Sequence, residues 1–194
     1  DPAPMNGSQL FGVLYGSQFK FDKEKMPAEI DALREKLMKE YEEGEKPERK
    51  KRILLTGCPS SGAPMKVVKA IEEHGGNVVV YENCGGAKSV DRLIDEDAED
   101  IYKAIAERYL AIGCSVMTPD NNRIELMGRL LEEYNIEGVV EMTLQACHTY
   151  NIEAKSIEKF VKSKGLPYIH VETDYSRADI GQLDTRIAAF LEMI

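Results

Sequence analysis

Four cysteines stand at Cys58, Cys84, Cys114 and Cys147, and no two of them form a C-x-x-C pair. That excludes a zinc ribbon and a thioredoxin-type redox motif. Thiolates are the soft donors that suit iron–sulfur clusters. The competing reading is that each thiol is a small core hydrophobe. Which reading holds depends on whether the fold gathers the four. Cys147 opens the run Cys147-His148-Thr149-Tyr150, which sets thiol, imidazole and phenol side by side. Neighbouring residues seldom point at one another, so a Cys–His nucleophile pair is disfavoured, whereas His148 suits a proton donor beside a cluster. His74 and His170 read as structural or exposed. Glu172, Asp174 and Asp179 form a carboxylate cluster that could do acid–base work. Asp179 reads more simply as a helix N-cap, with Glu172 or Asp174 orienting neighbours. The turn Thr56-Gly57-Cys58-Pro59-Ser60-Ser61-Gly62 has the glycine spacing of a phosphate loop, but Ala63-Pro64 replaces the required Lys-Ser/Thr. A tight strand-to-helix turn is the simpler reading, although backbone N–H groups there could still meet an anion.

The positions of these residues follow from the elements between them. Residues 1–17 are punctuated by Pro2, Pro4, Asn6, Gly7, Gly12 and Gly16 and read as loop. Pro27 to Tyr41 carries Ile30, Leu33, Leu37 and Tyr41 at helical spacing, and the charge-rich remainder reads as a solvated face. Glu42 to Arg52 is a charged, Gly- and Pro-containing linker. It divides the chain into 1–51, a lead-in of loop, helix and linker, and 52–194, an α/β domain. Beyond it, short apolar runs alternate with helical patterns. Strands are expected at Arg52–Thr56, Asn77–Tyr81, Gly138–Leu144 and Pro167–Val171. Helices are expected at Pro64–His74, Glu96–Tyr109, Arg123–Tyr134, Asn151–Lys164 and Asp179–Met193. This order predicts a Rossmann/flavodoxin-like three-layer α/β domain with a parallel sheet of about four strands. Ligands of such sheets gather beyond the carboxyl ends of the strands. Cys58, Cys84 and Cys147 each follow a strand, and Cys114 lies in the loop between two consecutive helices.

Composition narrows the class. Hydrophobic residues make up 43% and charged residues 30% of 194 positions, which suits a globular chain with a sizeable core. The net charge of −9 argues against a nucleic-acid surface. No apolar run approaches the ~18 residues of a membrane span, and no signal peptide is visible. Asp1-Pro2-Ala3-Pro4 lacks an initiator Met and reads as the start of an excised piece of something longer.

Read in order, the turns resemble the 2-hydroxyacyl-CoA dehydratase family, which includes benzoyl-CoA reductase subunits and double-cubane cluster proteins. The resemblance rests on Arg52-Ile53-Leu54-Leu55-Thr56-Gly57-Cys58-Pro59, Glu82-Asn83-Cys84-Gly85-Gly86, Ala106-Glu107-Arg108-Tyr109 and Cys114-Ser115-Val116-Met117-Thr118-Pro119. It continues through Glu137-Gly138-Val139-Val140, Gln145-Ala146-Cys147-His148, Glu172-Thr173-Asp174-Tyr175-Ser176 and Gly181-Gln182-Leu183-Asp184-Thr185-Arg186. Pro2-Ala3-Pro4-Met5-Asn6-Gly7 resembles the stretch just before this domain in the family. Each piece alone is weak; the ordered set is specific and covers nearly everything from Arg52 onward.

The resemblance implies a C-terminal half. Full-length relatives carry two α/β domains with an iron–sulfur cluster in the cleft between them, so a missing N-terminal domain would supply other ligands. Cys147 occupies the position of the ligand that this domain gives in the family. The additional Cys58, Cys84 and Cys114, with the Cys-His-Thr-Tyr form, resemble the double-cubane branch more than a single [4Fe–4S] protein. Family membership further implies an ATP-dependent activator protein that delivers single electrons at low potential, a homodimer or heterodimer, a cytoplasmic location, and no nucleic-acid or membrane partner. His148 and Tyr150 would relay protons. The readings carried forward are a double-cubane reductase of small molecules, a dehydratase subunit acting on a 2-hydroxyacyl-CoA, and a non-catalytic assembly module with core thiols. Half a cleft supplies half the ligands, so the isolated chain is expected to be able to lack a cluster.

Overall fold

The structure is a computed structural model that describes residues 2–59 and 62–194. It opens with two helices, α1 (Gly7–Gln18) and α2 (Met26–Glu43). Strand β1 (Lys51–Gly57), helix α3 (Ala63–Glu73) and strand β2 (Gly76–Glu82) follow. A single turn, α4 (Ala87–Val90), then leads to α5 (Ile101–Leu110) and α6 (Asn121–Glu133). The chain closes with β3 (Gly138–Leu144), α7 (His148–Ser163), β4 (Tyr168–Thr173) and α8 (Ile180–Glu192). The four strands are all parallel, in the order β2-β1-β3-β4. Chain order reverses direction between β1 and β3, and in doubly wound sheets that switch point is where the carboxyl ends open a crevice.

Alternation along the strands sends residues to two faces. Ile53, Leu55, Val140, Met142 and Val171 pack with α1, α3 and α8 on one side. Leu54, Val80 and Val139 pack with α6 and α7 on the other. The three-layer α/β fold expected from the strand–helix alternation is the one observed. Among the described residues, no helix is long and apolar enough to cross a membrane.

The lead-in departs from expectation. Residues 7–18 form a helix where the glycines and prolines indicate loop. Its start is a capping box: the Gln9 N–H donates to Asn6 Oδ1 at 2.8 Å, and the Asn6 N–H to Gln9 Oε1 at 3.1 Å. Long-range contacts then outweigh the cost of Gly12 and Gly16. The Gly7 N–H donates to Asn77 Oδ1 at 2.8 Å, the Ser8 N–H to Glu72 Oε1 at 2.7 Å, and Tyr81 Oη to the Gly7 carbonyl at 2.8 Å. In contrast, α2 matches its solvated pattern, with no residue of the helix buried. Helix α5 begins at Ile101 rather than Glu96, because the Asp100 carboxylate accepts the Lys103 N–H at 3.0 Å and caps it there. The single turn α4 has no counterpart in the expected pattern.

One irregularity sets the geometry of the site. The β1–β2 register slips by a residue between Ile53 and Leu54, so Thr56 faces Glu82 rather than Tyr81. Thr56 also faces Glu141 on β3. The bulge therefore places Glu82, Thr56 and Glu141 in one row across three strands.

Candidate functional site

All four thiols are free and stand at the carboxyl edge of the sheet or on the loop beside it. Cys58 directly follows β1 and is buried, 3% exposed. Its N–H donates to the Met142 carbonyl at 3.0 Å, and the Leu144 N–H donates to its sulfur at 3.0 Å. Burial pushes this thiol up to about 11, with the Leu144 N–H opposing the rise and Cys147 adding to it. The Cys147 side chain packs against the core cluster that contains Cys58. Cys147 sits at the head of α7 after Ala146, which takes a left-handed backbone at φ 65°. A side chain there is costly, so the turn is held by its surroundings. The Cys147 N–H donates to the Leu144 carbonyl at 3.0 Å and the Gln145 N–H to the Thr173 carbonyl at 2.7 Å.

Cys84 is exposed and Cys114 half-buried. Burial holds the Tyr150 proton above its ordinary range, and the Cys84 and Cys114 sulfurs push in the same direction. Gly113 lets the Cys114 loop rest on the first turn of α6: a Cβ there would stand 2.6 Å from the Arg123 nitrogen. Cys58 and Cys147 share one core cluster, to which Cys84 and Cys114 do not belong. Among the described residues, no three His, Cys, Asp or Glu side chains converge as a metal-holding group. The donor chemistry fits iron–sulfur ligation, but a cubane takes four ligands, and no three of these thiols converge among the described residues. The rest would have to come from other polypeptide.

Beneath the rim lies a charged layer that the sequence motifs do not announce. Arg123 is fully buried. Its guanidinium donates to Glu82 Oε2 at 3.3 Å, Glu141 Oε1 at 3.1 Å, Thr56 Oγ1 at 2.7 Å and the Glu153 carboxylate. Burial opposes this charge, but Glu82, Glu141 and Glu153 outweigh it and hold the proton firmly. Lys88, also buried, lies 3.3 Å from Glu82 Oε1 and donates to Tyr150 Oη at 3.3 Å. Both cations sit over the Tyr150 ring, Lys88 at 5.4 Å and Arg123 at 5.1 Å from its centroid. Tyr168 Oη donates to Glu141 Oε2 at 2.7 Å. Burial still leaves the Glu141 proton harder to remove than usual, against the pull of Arg123. The signal for this layer in the sequence is that β1, β2 and β3 each turn from apolar to Thr or Glu, at Thr56, Glu82 and Glu141.

A second carboxylate pair adjoins the layer. Asp120 caps α6, accepting the Arg123 N–H at 3.1 Å, while its other oxygen is buried without a hydrogen-bond partner. Burial raises its pKa to about 6; the Arg123 N–H opposes the rise and Glu153 adds to it. A folded pKa above the unfolded one means stability that is full below about pH 4 and lost as pH climbs through about 6. Asp120→Asn keeps the cap and removes the charge. It is expected to stabilise the chain at pH 8 by on the order of 1 kcal/mol, discounted because the side chain is only partly buried, and to be neutral near pH 4. Urea unfolding of both proteins at the two pH values checks this; equal effects at both would refute it.

His148 is exposed on the first turn of α7 and makes no hydrogen bond among the described residues. His74 pairs with Asp184 at 2.8 Å, and His170 with Thr143 at 2.8 Å. Glu172 accepts from Asn151 at 2.9 Å, and Asp174 accepts the Ser176 N–H at 2.7 Å, so both orient neighbours as expected. Asp179 stands at the N-cap position of α8 without capping it by its side chain. That carboxylate is instead taken by Lys66 at 2.6 Å and by the Thr173 hydroxyl. The glycine turn after β1 includes Ser60 and Ser61, which lie outside the described residues.

Comparison with known proteins adds the family. The sequence profile of "2-hydroxyglutaryl-CoA dehydratase, D-component" matches residues 1–194. The chain is 48% identical over 195 residues to a protein of Escherichia coli (strain K12) named "Putative dehydratase subunit YjiM", covering 100% of this chain and 51% of that protein. It is 23% identical over 161 residues to one of the benzoyl-CoA reductase subunits of Thauera aromatica, covering 78% of this chain and 36% of that one. Over 104 residues it is 25% identical to the beta chain of (R)-2-hydroxyglutaryl-CoA dehydratase from Acidaminococcus fermentans, covering 51% of this chain and 27% of that one. The chain thus spans about half the length, or less, of these curated relatives.

Proposed function

We propose, from the premise that this chain belongs to the 2-hydroxyglutaryl-CoA dehydratase D-component family, that it is the thiol-bearing half of an iron–sulfur reductase component of the double-cubane type. The observation that supports this reading is four free thiols on the loops at the carboxyl edge of one sheet, with Cys58 and Cys147 in one core cluster. Four thiols from one half of a cleft are more than a single cluster needs and suit two linked ones. Cys58 and Cys147 would hold the first, and Cys84 and Cys114 the second. The cluster, when bound, supplies single electrons at low potential to the substrate. The chain's own groups do the rest. Deprotonating the Cys58 thiol, raised by its burial, is a cost that ligation must meet. The Leu144 N–H already points at that sulfur and suits its anionic form. The Arg123–Glu82–Glu141 layer excludes water from below the rim and fixes the strand ends. Tyr150, anchored by Lys88, holds a phenolic proton, and exposed His148 is open to solvent as a proton relay. An ATP-dependent activator as electron donor, a second domain completing the cleft, and a cytoplasmic homodimer or heterodimer belong to the same proposal.

The second reading is a dehydratase subunit that removes water from a 2-hydroxyacyl-CoA through a radical. It is favoured by the two more distant relatives, whose names both specify CoA thioesters. Anaerobic purification of the full-length protein, with iron and acid-labile sulfide counted per chain, separates the readings. Roughly eight irons support the double cubane, about four the single-cluster dehydratase, and none an assembly module with inert thiols. Replacing Cys84 and Cys114 together with Ala is expected to halve the iron. Full loading of that variant, or of Cys147→Ala, would overturn the ligand assignment.

A further inference from the structure

Helix α2 stands apart from the core. Its 18 residues run for about 27 Å, and none of them is buried. An isolated helix of that length is marginal in water, and most helices are held by packing an apolar stripe. The stripe is present in α2. Met26, Ile30, Leu33 and Leu37 recur at spacings of four, three and four, the a/d pattern of a helix–helix seam. Yet Ile30 remains 43% exposed, and Met38 beside the stripe 48%.

The stripe borders an open groove. About 240 Å³ lies between α1 and α2, with Gly12, Val13 and Gly16 on one wall and Met26, Ile30 and Leu33 on the other. A Cβ added at Gly12 or Gly16 would meet nothing within 4 Å, and both glycines lie inside α1. Each costs the helix propensity, and no close approach within the chain requires it. Together they clear a shelf on α1 beside the α2 stripe. Phe19 and Phe21, at the turn between the two helices, are also exposed. Contiguous exposed apolar surface of this kind marks an interaction site.

We propose that this face is a dimer interface, in which α2 of a second copy of this chain lies antiparallel along α2 and over the shelf at Gly12 and Gly16. The charges select both occupant and register. Across a two-fold axis, a contact of one residue with another is repeated in reverse. Ile30 set against the partner's Leu33 repeats as Leu33 against the partner's Ile30, and Met26 then meets the partner's Leu37. In that register Glu29 stands beside the partner's Lys36, and the axis makes the ion pair twice. Both side chains are exposed, and so are the groups they meet within the chain, Lys20 and Glu40. A slide of one heptad would instead set Lys36 against the partner's Lys36 and Glu29 against the partner's Glu43, which repel. The favoured register also carries the last turns of α2, with Met38, over the partner's turn with Phe19 and Phe21. The interface is independent of the cluster reading: it uses no thiol, and iron counts do not test it.

Sedimentation of the 194-residue chain between about 1 and about 100 µM is expected to show a monomer–dimer equilibrium. Gly12→Leu/Gly16→Leu fills the shelf and improves helix propensity. It should weaken the dimer about a hundred-fold or more and keep the far-ultraviolet circular dichroism of the folded chain. Glu29→Lys and Lys36→Glu should each weaken the dimer about ten-fold, and the double variant Glu29→Lys/Lys36→Glu should return to within about three-fold of the parent. Residues seven apart on one helix do not touch, so that recovery requires the two positions to meet across the axis. A parent that is monomeric at about 100 µM overturns the proposal. So does a dimer that survives both leucines, or a charge swap that binds no better than its single changes.

Discussion

Arg123→Met is expected to destabilise the chain by about 3–5 kcal/mol at pH 8, because removing one partner of a buried ion pair leaves the other charges uncompensated. Glu82 and Glu141 are fully buried and Glu153 nearly so, and only Lys88 would remain as a buried countercharge, beside Glu82. Met fills much of the volume, so the loss is electrostatic rather than a cavity. The transition temperature should fall by roughly 6–20 °C, at about 2–4 °C per kcal/mol for a chain of this size. The deficit should depend on pH with a definite sign. Without Arg123, Glu141, already raised by burial, rises further above its unfolded value. A raised carboxylate contributes stability that is full below its unfolded pKa and lost as pH climbs through the folded one. The variant should therefore approach the parent near pH 4 and fall away from it toward pH 8. Arg123→Lys keeps the charge but loses the fork that reaches Thr56, Glu82 and Glu141 together, and should lie between the two. A loss below about 1 kcal/mol at pH 8 would mean that the layer is not held by Arg123.

The second large effect is expected at Gly57. Its φ of +117° is unfavourable for any L side chain, and a Cβ would stand 1.9 Å from the Met142 carbonyl oxygen. That same oxygen accepts the Cys58 N–H at 3.0 Å. Gly57→Ala must therefore push β1 from β3 at the point where Cys58 leaves the sheet, with an expected cost of about 2–4 kcal/mol. The displaced sulfur should lose the Leu144 N–H and become open to a thiol reagent in the folded state. Gly75→Ala is the control: its φ is +84°, but nothing lies within 4 Å of the added carbon, so it should cost only about 1 kcal/mol and leave Cys58 protected. Equal unfolding midpoints and equal thiol reactivity in the two variants would refute the close-approach argument.

Much of the scaffold is legible in the residues. The apolar runs that mark β1, β2 and β3 end at their glycines and polar residues, and Gly138–Leu144 is a strand over the whole expected span. The lead-in helix α1 is not, because its stability comes from Asn77, Glu72 and Tyr81, partners 64 to 74 positions away, rather than from its own glycine-containing sequence. Asp179 reads as a cap for a similar reason: Lys66, distant in sequence, competes for its carboxylate and wins. The charged layer escapes notice because each member looks ordinary alone. Thr56, Glu82, Glu141 and Arg123 become one network only when three strands lie side by side and the slip between Ile53 and Leu54 brings Glu82 into line.

The sequence by itself determined that Cys58, Cys84 and Cys147 share one edge. Parallel strands joined by crossover helices all deliver their carboxyl ends to the same side, whatever their lateral order. Only the tertiary structure decided which thiols enter the core. The order β2-β1-β3-β4 sets β1 beside β3, so Cys58 and Cys147 join one core cluster, while the loop that Gly113 seats on α6 holds Cys114 outside it. Lateral order and loop seating depend on packing between residues far apart in the chain, and no local pattern records them.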